Sequence, residues 1–170
     1  MLRLLYPWFG GMLVFQVGDK VVYPMHGAGI IEAIEERVVL GKKKHYYILR
    51  IIFGDMQIMV PTDVAGAVLR QVIDQDGVNR VFEILRSTNT KMSTNWNRRY
   101  RANLEKIKSG DIFEVADVVR NLAQRDHEKG LSTGERKMLE NARQILLSEL
   151  VLAQGMDRSA ASTQLDEILA

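Results

Sequence analysis

The chain has 170 residues, of which 46% are hydrophobic and 26% are charged, a composition typical of one compact domain or two small ones. The formal net charge is only +2, so total charge gives no indication of a nucleic-acid-binding protein. The sequence contains no cysteine, which excludes a disulfide framework, a thiolate zinc site and a cysteine nucleophile.

The segment at residues 1–11 is apolar and contains a single arginine. It is much shorter than the roughly 20 residues that a membrane-spanning helix needs, and it lacks the small-residue cleavage site of a secretory signal. We therefore expect residues 1–11 to be an N-terminal extension of a domain that begins at Met12. No membrane partner is predicted.

Residues 12–70 carry the signals of β-structure. Gly-Asp turn pairs at residues 18–19 and 54–55 interrupt runs of β-branched and aromatic residues. Strands are predicted over residues 30–40, 45–53 and 56–60, with a charged hairpin tip at residues 41–44. Short strands joined by tight turns predict a small antiparallel β-barrel of SH3-like size.

Residues 71–170 carry helical signals. Helices are predicted over residues 74–86, from about residue 95, from residue 111 to a C-cap at Gly130, from residue 132, and over about 161–169. Asp111 with Glu114 and Ser132 with Glu135 form capping-box patterns, which mark two of the helix starts. The predicted fold class is therefore α+β, a small antiparallel barrel followed by an all-helical domain.

The segment over residues 86–109 is strongly basic, and Glu105 is its only carboxylate. Ser93 or Thr94 can cap a helix that begins near Asn95. Helical spacing puts Arg98 and Arg101 on one side of this helix, together with Glu105 and Lys108. Another side carries Trp96, Tyr100, Leu104 and Ile107.

Two interpretations of this helix remain open from spacing alone. Guanidinium groups at Arg98 and Arg101 suit the phosphates of a nucleic-acid strand, and Trp96 in the first turn could stack on an unpaired base. However, a tryptophan on an apolar stripe is usually part of the core, and a basic helix face is often only solvated. The pattern therefore indicates a plausible nucleic-acid surface without deciding for it.

Four sequence stretches carry a resemblance to a known family. They are residues 95–101 (NWNRRYR) with 104–110 (LEKIKSG), residues 15–24 (FQVGDKVVYP), the Gly27-x-Gly29 loop, and residues 131–139 (LSTGERKML). In order and spacing they resemble the CarD/CdnL family of bacterial transcription regulators from about residue 13 to the C-terminus. Residues 1–11 lie outside the resemblance.

The resemblance implies a Tudor-like domain at residues 12–70 that binds the β subunit of bacterial RNA polymerase. Arg37 matches a basic position that some members use for this contact, and Met59 with Pro61 matches a Met-x-Pro motif of other members. Some relatives have arginine where this chain has Met59. The alternative for Met59 and Pro61 is that they merely end a strand.

The resemblance also implies that residues 71–170 contact promoter DNA at the upstream edge of the melted region and so stabilise the open promoter complex. Trp96 corresponds to the family's minor-groove wedge, and Arg98, Arg99 and Arg101 correspond to its basic residues. We expect low sequence specificity, because contacts between arginine and phosphate position a protein without reading bases.

The chain is not expected to be an enzyme. His26 lies near glycines, but no nucleophile-elbow motif, Walker loop or metal-ligand cluster accompanies it. No cofactor and no metal are predicted, and we expect a cytoplasmic monomer that associates with the nucleoid through RNA polymerase. The alternative function is a protein–protein adaptor that never contacts DNA.

Overall fold

The computed structural model describes residues 14–88 and 91–170. The predicted extension at residues 1–11 lies outside these described residues. A five-stranded antiparallel sheet comes first and helices follow, which confirms the α+β class. No helix within the described ranges is long and apolar enough to cross a membrane.

The sheet has the spatial order β4-β3-β2-β1-β5. Its strands are β1 (Lys20–Tyr23), β2 (Gly27–Val39), β3 (Lys42–Ile51), β4 (Gln57–Pro61) and β5 (Arg70–Gln71), with the short helix α1 (Ala65–Val68) before β5. The predicted barrel needs correction, since β4 and β5 are the two ends of an open sheet. β5 pairs only with β1, through two residues of the ladder, and no pairing joins it to β4.

The β2–β3 hairpin also differs from the prediction at its turn. Leu40 and Gly41 both have positive φ, 52° and 75°, as the central residues of a two-residue hairpin turn with mirror-image twist require. Lys42 to Lys44 therefore belong to β3 and not to the tip. β2 begins earlier than expected and includes Gly29, where a Cβ atom would lie 2.2 Å from the Arg50 carbonyl oxygen.

One apolar core lies on the inner face of the sheet. Tyr47 is fully buried there, and its hydroxyl donates to the Phe15 carbonyl (2.8 Å) and accepts from the Phe15 amide (3.1 Å). The buried members of this core are Phe15, Val21, Ile31, Tyr47, Leu49, Ile51, Val60, Ala65 and Leu69.

The helical part consists of α2 (Gln75–Arg86), α3 (Trp96–Lys108), α4 (Ile112–Lys129), α5 (Thr133–Gln154) and α6 (Arg158–Leu169). The predicted caps at Asp111 and Ser132 are confirmed, because their side chains accept from the amides of Phe113 and Glu135. A large core of buried apolar side chains, to which all five of these helices contribute, holds them together.

Helix α5 also packs against the sheet. Leu152 from α5 contacts Val22 and Ala28 in a small apolar cluster, and Ser148 accepts a hydrogen bond from the Ala28 amide at 2.8 Å. The predicted division into residues 12–70 and 71–170 stays a prediction. Its boundary falls within β5, whose first residue binds the helical part through an ion pair to the buried Glu149.

Candidate nucleic-acid interface

Helix α3 begins at Trp96 and is capped by the residue before it. The Asn95 side chain accepts from the Arg98 amide at 3.1 Å, while Ser93 accepts from the Asn95 amide at 3.2 Å. The predicted cap at Ser93 or Thr94 was therefore wrong by one or two positions. The tryptophan consequently sits in the first turn, where no preceding helical turn covers it.

The Trp96 side chain lies at the surface, although the apolar stripe alone favoured a core position. The residue is 42% exposed. One face of its indole stacks on Tyr100, with ring centroids 4.9 Å apart and an interplanar angle of 18°. Its Nε1 donates to the Ser132 hydroxyl at 3.0 Å, so the start of α5 holds the indole from the side.

Arg98 and Arg101 lie on the solvent-facing side of α3, and both are exposed. They are separated by about 60° around the helix axis, whereas Trp96 lies about 140° from Arg101. Neither guanidinium forms an ion pair with any residue in the described part of the chain. The structure thus places the two cations on the outer side of α3 and the indole at its N-terminal end.

Arg99 is not part of this outer surface, which corrects its assignment as a DNA contact. It is only 3% exposed, and its Nε donates to Glu135 Oε1 at 2.5 Å. Its Nη1 donates to the carbonyls of Ser93 (3.1 Å) and Thr94 (3.2 Å). With Nε and Nη1 engaged and the residue buried, Arg99 lies beneath the start of α3 and not on its outer surface.

The carboxylate of Glu135 is also buried, with 1% of the residue exposed. Burial by itself raises the pKa of this carboxyl group, but the hydrogen bond and charge of Arg99, the charge of Arg125 and a backbone hydrogen bond from Ser132 outweigh it. The net effect is a pKa below the ordinary value of 4.5. Glu135 is therefore an anion at neutral pH and balances the buried Arg99.

The three residues predicted to face RNA polymerase all belong to the sheet, but they are not all neighbours. Met59 is 44% exposed and shares the outer face of the terminal strand β4 with Pro61. Arg37 lies farther along β2 towards the hairpin turn and is paired with Glu35. The strand register separates Arg37 from Met59 by about 16 Å between Cα atoms.

Sequence comparison assigns both halves of this architecture. Residues 15–73 match the family described as "CarD-like/TRCF RID domain", and residues 80–166 match "CarD, C-terminal domain". The chain belongs to the CarD/CdnL family. The predicted resemblance is thereby confirmed, and the CarD/CdnL assignment makes the protein a transcription regulator.

Two relatives of this CarD/CdnL chain give the extent of the similarity. It is 42% identical over 144 residues to "Putative transcription factor YdeB" of Bacillus subtilis (strain 168), covering 84% of this chain and 94% of that protein. It is 38% identical to the solved structure "CdnLNt from Myxoccoccus xanthus", covering 40% of this chain and 97% of that one, with a TM-score of 0.32.

Sequence reasoning did not identify Ser132 and Glu135 as residues of the candidate site. Their capping-box pattern correctly marked the start of α5. That local pattern could not show that Ser132 also meets Trp96, because the contact joins two helices that are distant in sequence. The two residues of this capping box therefore also bind side chains of α3, Ser132 binding Trp96 and Glu135 binding Arg99.

Proposed function

We propose that this CarD/CdnL-family protein binds the β subunit of bacterial RNA polymerase through its sheet and stabilises the open promoter complex through α3. Contact with DNA at the upstream edge of the transcription bubble is the proposed mechanism. The observation that carries this proposal is the exposed Trp96 indole, held in place at the start of a helix whose outer side bears Arg98 and Arg101.

The physical basis is the stacking energy that promoter opening removes. A base pair at the edge of a bubble loses a stacked neighbour, and an indole can take that neighbour's place. Base–aromatic stacking contributes roughly 1–3 kcal/mol. If it acts only on the open state, it shifts the open-to-closed ratio by about one to two orders of magnitude.

Arg98 and Arg101 supply the proposed phosphate contacts. Each guanidinium presents a planar set of donors that matches phosphate oxygens, and neither is engaged by an acidic side chain of the described residues. Weak affinity for free DNA is compatible with this role, because binding to polymerase raises the effective concentration of α3 at the promoter. The small net charge of +2 is therefore no objection.

The proposed polymerase contact rests on family membership and on exposure. CarD-like proteins interact with RNA polymerase, and the match to the CarD-like/TRCF RID domain spans the whole sheet. Met59 and Pro61 would contact the polymerase from the outer face of β4, and Arg37 from the hairpin. Because Arg37 and Met59 are about 16 Å apart, the proposed contact extends along one side of the sheet.

The test of the DNA role is the lifetime of open complexes after addition of a competitor. Trp96→Ala should shorten the lifetime by about one order of magnitude or more, since it removes the stacking surface. Trp96→Phe is the matched control and should retain part of the effect. Polymerase affinity should be the same for all three proteins, and an unchanged lifetime for Trp96→Ala would contradict the wedge.

The test of the basic side is the salt dependence of binding to a forked promoter with polymerase present. Changing Arg98 and Arg101 to Glu should lower the steepness of this dependence by about 0.9 for each phosphate that the variant no longer neutralises. Equal slopes for the variant and the parent would instead favour the alternative function, a protein–protein adaptor that does not touch DNA.

A further inference from the structure

The exposed Trp96 is connected through Ser132 to polar contacts that lead to the buried Glu135 and Arg99. Its Nε1 donates to Ser132 Oγ at 3.0 Å, and the same oxygen accepts from the Glu135 amide at 3.2 Å. The Ser132 hydroxyl donates in turn to Glu135 Oε2 at 3.3 Å. One donor and two acceptor positions are all that a serine hydroxyl has, so its orientation is fixed.

The ion pair between Arg99 and Glu135 continues these contacts into the interior of the protein. Both side chains are 2% exposed and meet at 2.5 Å. The other end of the Arg99 fork holds the carbonyls of Ser93 and Thr94, which lead directly into Trp96. Arg99 therefore restrains the backbone before the indole, while Ser132 restrains the indole ring itself.

A buried ion pair by itself adds little to the stability of a protein. Desolvation of the two charges offsets much of their attraction, and apolar side chains of the same size often stabilise a protein as well or better. At this position the pair instead fixes geometry, because a guanidinium fork and a carboxylate determine where their hydrogen-bonding partners lie. An exposed tryptophan without such partners would exchange among rotamers.

We propose that Ser132, Glu135 and Arg99 are positioning residues that hold the Trp96 indole in one protruding orientation, stacked on Tyr100. This inference rests on the proposed function, since it gives these residues a role in the wedge and not in direct DNA contact. The wedge is then ordered before DNA arrives, and binding loses little further side-chain entropy.

The first experiment measures the motion of Trp96 in the free protein, without DNA or polymerase. The chain has two tryptophans, so a Trp8→Phe background leaves Trp96 as the only tryptophan emitter. In that background, Ser132→Ala should increase the fraction of fluorescence anisotropy that decays by local indole motion. Ser132→Thr should restore the parent decay, because threonine keeps the hydroxyl group.

A matched control separates this effect from the loss of a helix cap. Asp157 caps α6 and accepts from the Ala160 amide at 2.7 Å, far from Trp96 in the fold. Asp157→Ala removes a cap of similar strength, about 1 kcal/mol, and should leave the Trp96 anisotropy unchanged. Equal anisotropy decays for Ser132→Ala and the parent would overturn the proposal.

The second experiment asks whether the positioning residues act through Trp96. Ser132→Ala should shorten the open-complex lifetime about fivefold, the change that one hydrogen bond of roughly 1 kcal/mol allows. In a Trp96→Ala background the same substitution should have no further effect. An additive effect of the two substitutions would show that Ser132 does not act through the indole.

The two proposals can fail separately. If Trp96→Ala leaves the open-complex lifetime unchanged, the proposed function fails, while the anisotropy of the free protein still decides whether Ser132 positions the indole. If Trp96→Ala shortens the lifetime but Ser132→Ala changes neither anisotropy nor lifetime, the wedge stands and the positioning role fails.

Discussion

Helix α5 carries two buried glutamates, and each is paired with an arginine from a different part of the chain. Glu135, at the start of α5, binds Arg99 of the neighbouring helix α3. Glu149, near its other end, binds both terminal nitrogens of Arg70 from β5, at 2.6 and 2.7 Å, and also accepts from the Ile73 amide. The first pair orders one surface side chain, whereas the second joins the sheet to the helices.

The two pairs differ in the exposure of the arginine. Arg99 is as deeply buried as its glutamate, with both side chains 2% exposed. The Arg70 side chain is 32% exposed, although that of Glu149 is only 1% exposed. Removing either partner of the Arg99 pair should therefore leave a buried charge. At the Arg70 pair, only removal of the arginine should do so.

The largest predicted effect is the loss of stability in Arg70→Ala. This substitution leaves the Glu149 carboxylate buried without its cation and should lower the free energy of unfolding by about 3–5 kcal/mol. Glu149→Gln should cost less, about 1–3 kcal/mol, because the remaining guanidinium can reach water. Urea denaturation measures both values, and equal losses would contradict the asymmetry.

The second prediction concerns single and paired changes at Arg99 and Glu135. Glu135→Leu alone should lower the free energy of unfolding by about 3 kcal/mol, since it leaves Arg99 buried and unpaired. Adding Arg99→Met should recover most of this loss, because two apolar side chains can fill the same space.

The double variant, Glu135→Leu with Arg99→Met, would show whether the stability of the protein and the positioning of Trp96 can be separated. Its free energy of unfolding should be close to that of the parent protein, while the Trp96 anisotropy should stay as low as in Ser132→Ala. A double variant that is no more stable than Glu135→Leu would mean that the ion pair is needed for folding itself.

The helix starts could be predicted from sequence because they depend on neighbouring residues. Asp111 and Ser132 were correctly identified as caps, since a capping residue and the amide that it accepts from lie within one turn. The open sheet could not be predicted in this way. The edge strand β5 has only two residues, and two residues give almost no periodic signal.

At the candidate site, too, local patterns could be predicted from sequence but tertiary contacts could not. The sequence pattern correctly predicted a helix within the basic segment, whereas the family resemblance grouped Arg99 with Arg98 and Arg101 as a DNA contact. Arg99, Asn103 and Ile107 recur at intervals of four and are all buried, which places Arg99 on the inner side of α3. Its partner Glu135 could not be identified from sequence, because their contact is tertiary.

A third and smaller effect is predicted at Ser148, where α5 meets the sheet. Its buried hydroxyl accepts from the Ala28 amide at 2.8 Å, so Ser148→Ala should leave that amide unpaired and cost about 1–3 kcal/mol. Ser162→Ala is the control, because the Arg143 guanidinium that donates to Ser162 also binds Asp166. Its cost should be below about 0.5 kcal/mol.

The last prediction is the pH dependence of stability that follows from the Glu135 carboxyl group. The pKa of its carboxyl group is held below the ordinary 4.5, against the opposing effect of burial, chiefly by Arg99. A carboxyl group whose pKa is lower in the folded state contributes its full stability above pH 4.5, and that contribution is lost as pH falls through the lower, folded-state value.

Glu135→Gln should therefore flatten the fall in unfolding free energy below about pH 4.5, measured by urea denaturation at successive pH values. The variant should be less stable than the parent at pH 7, and the difference should shrink towards lower pH. Because protonated Glu135 no longer binds Arg99 as an anion, the Trp96 anisotropy of the Trp8→Phe protein should decrease over the same range. A pH-independent anisotropy would mean that Ser132 alone holds the indole and that the ion pair is dispensable for its orientation.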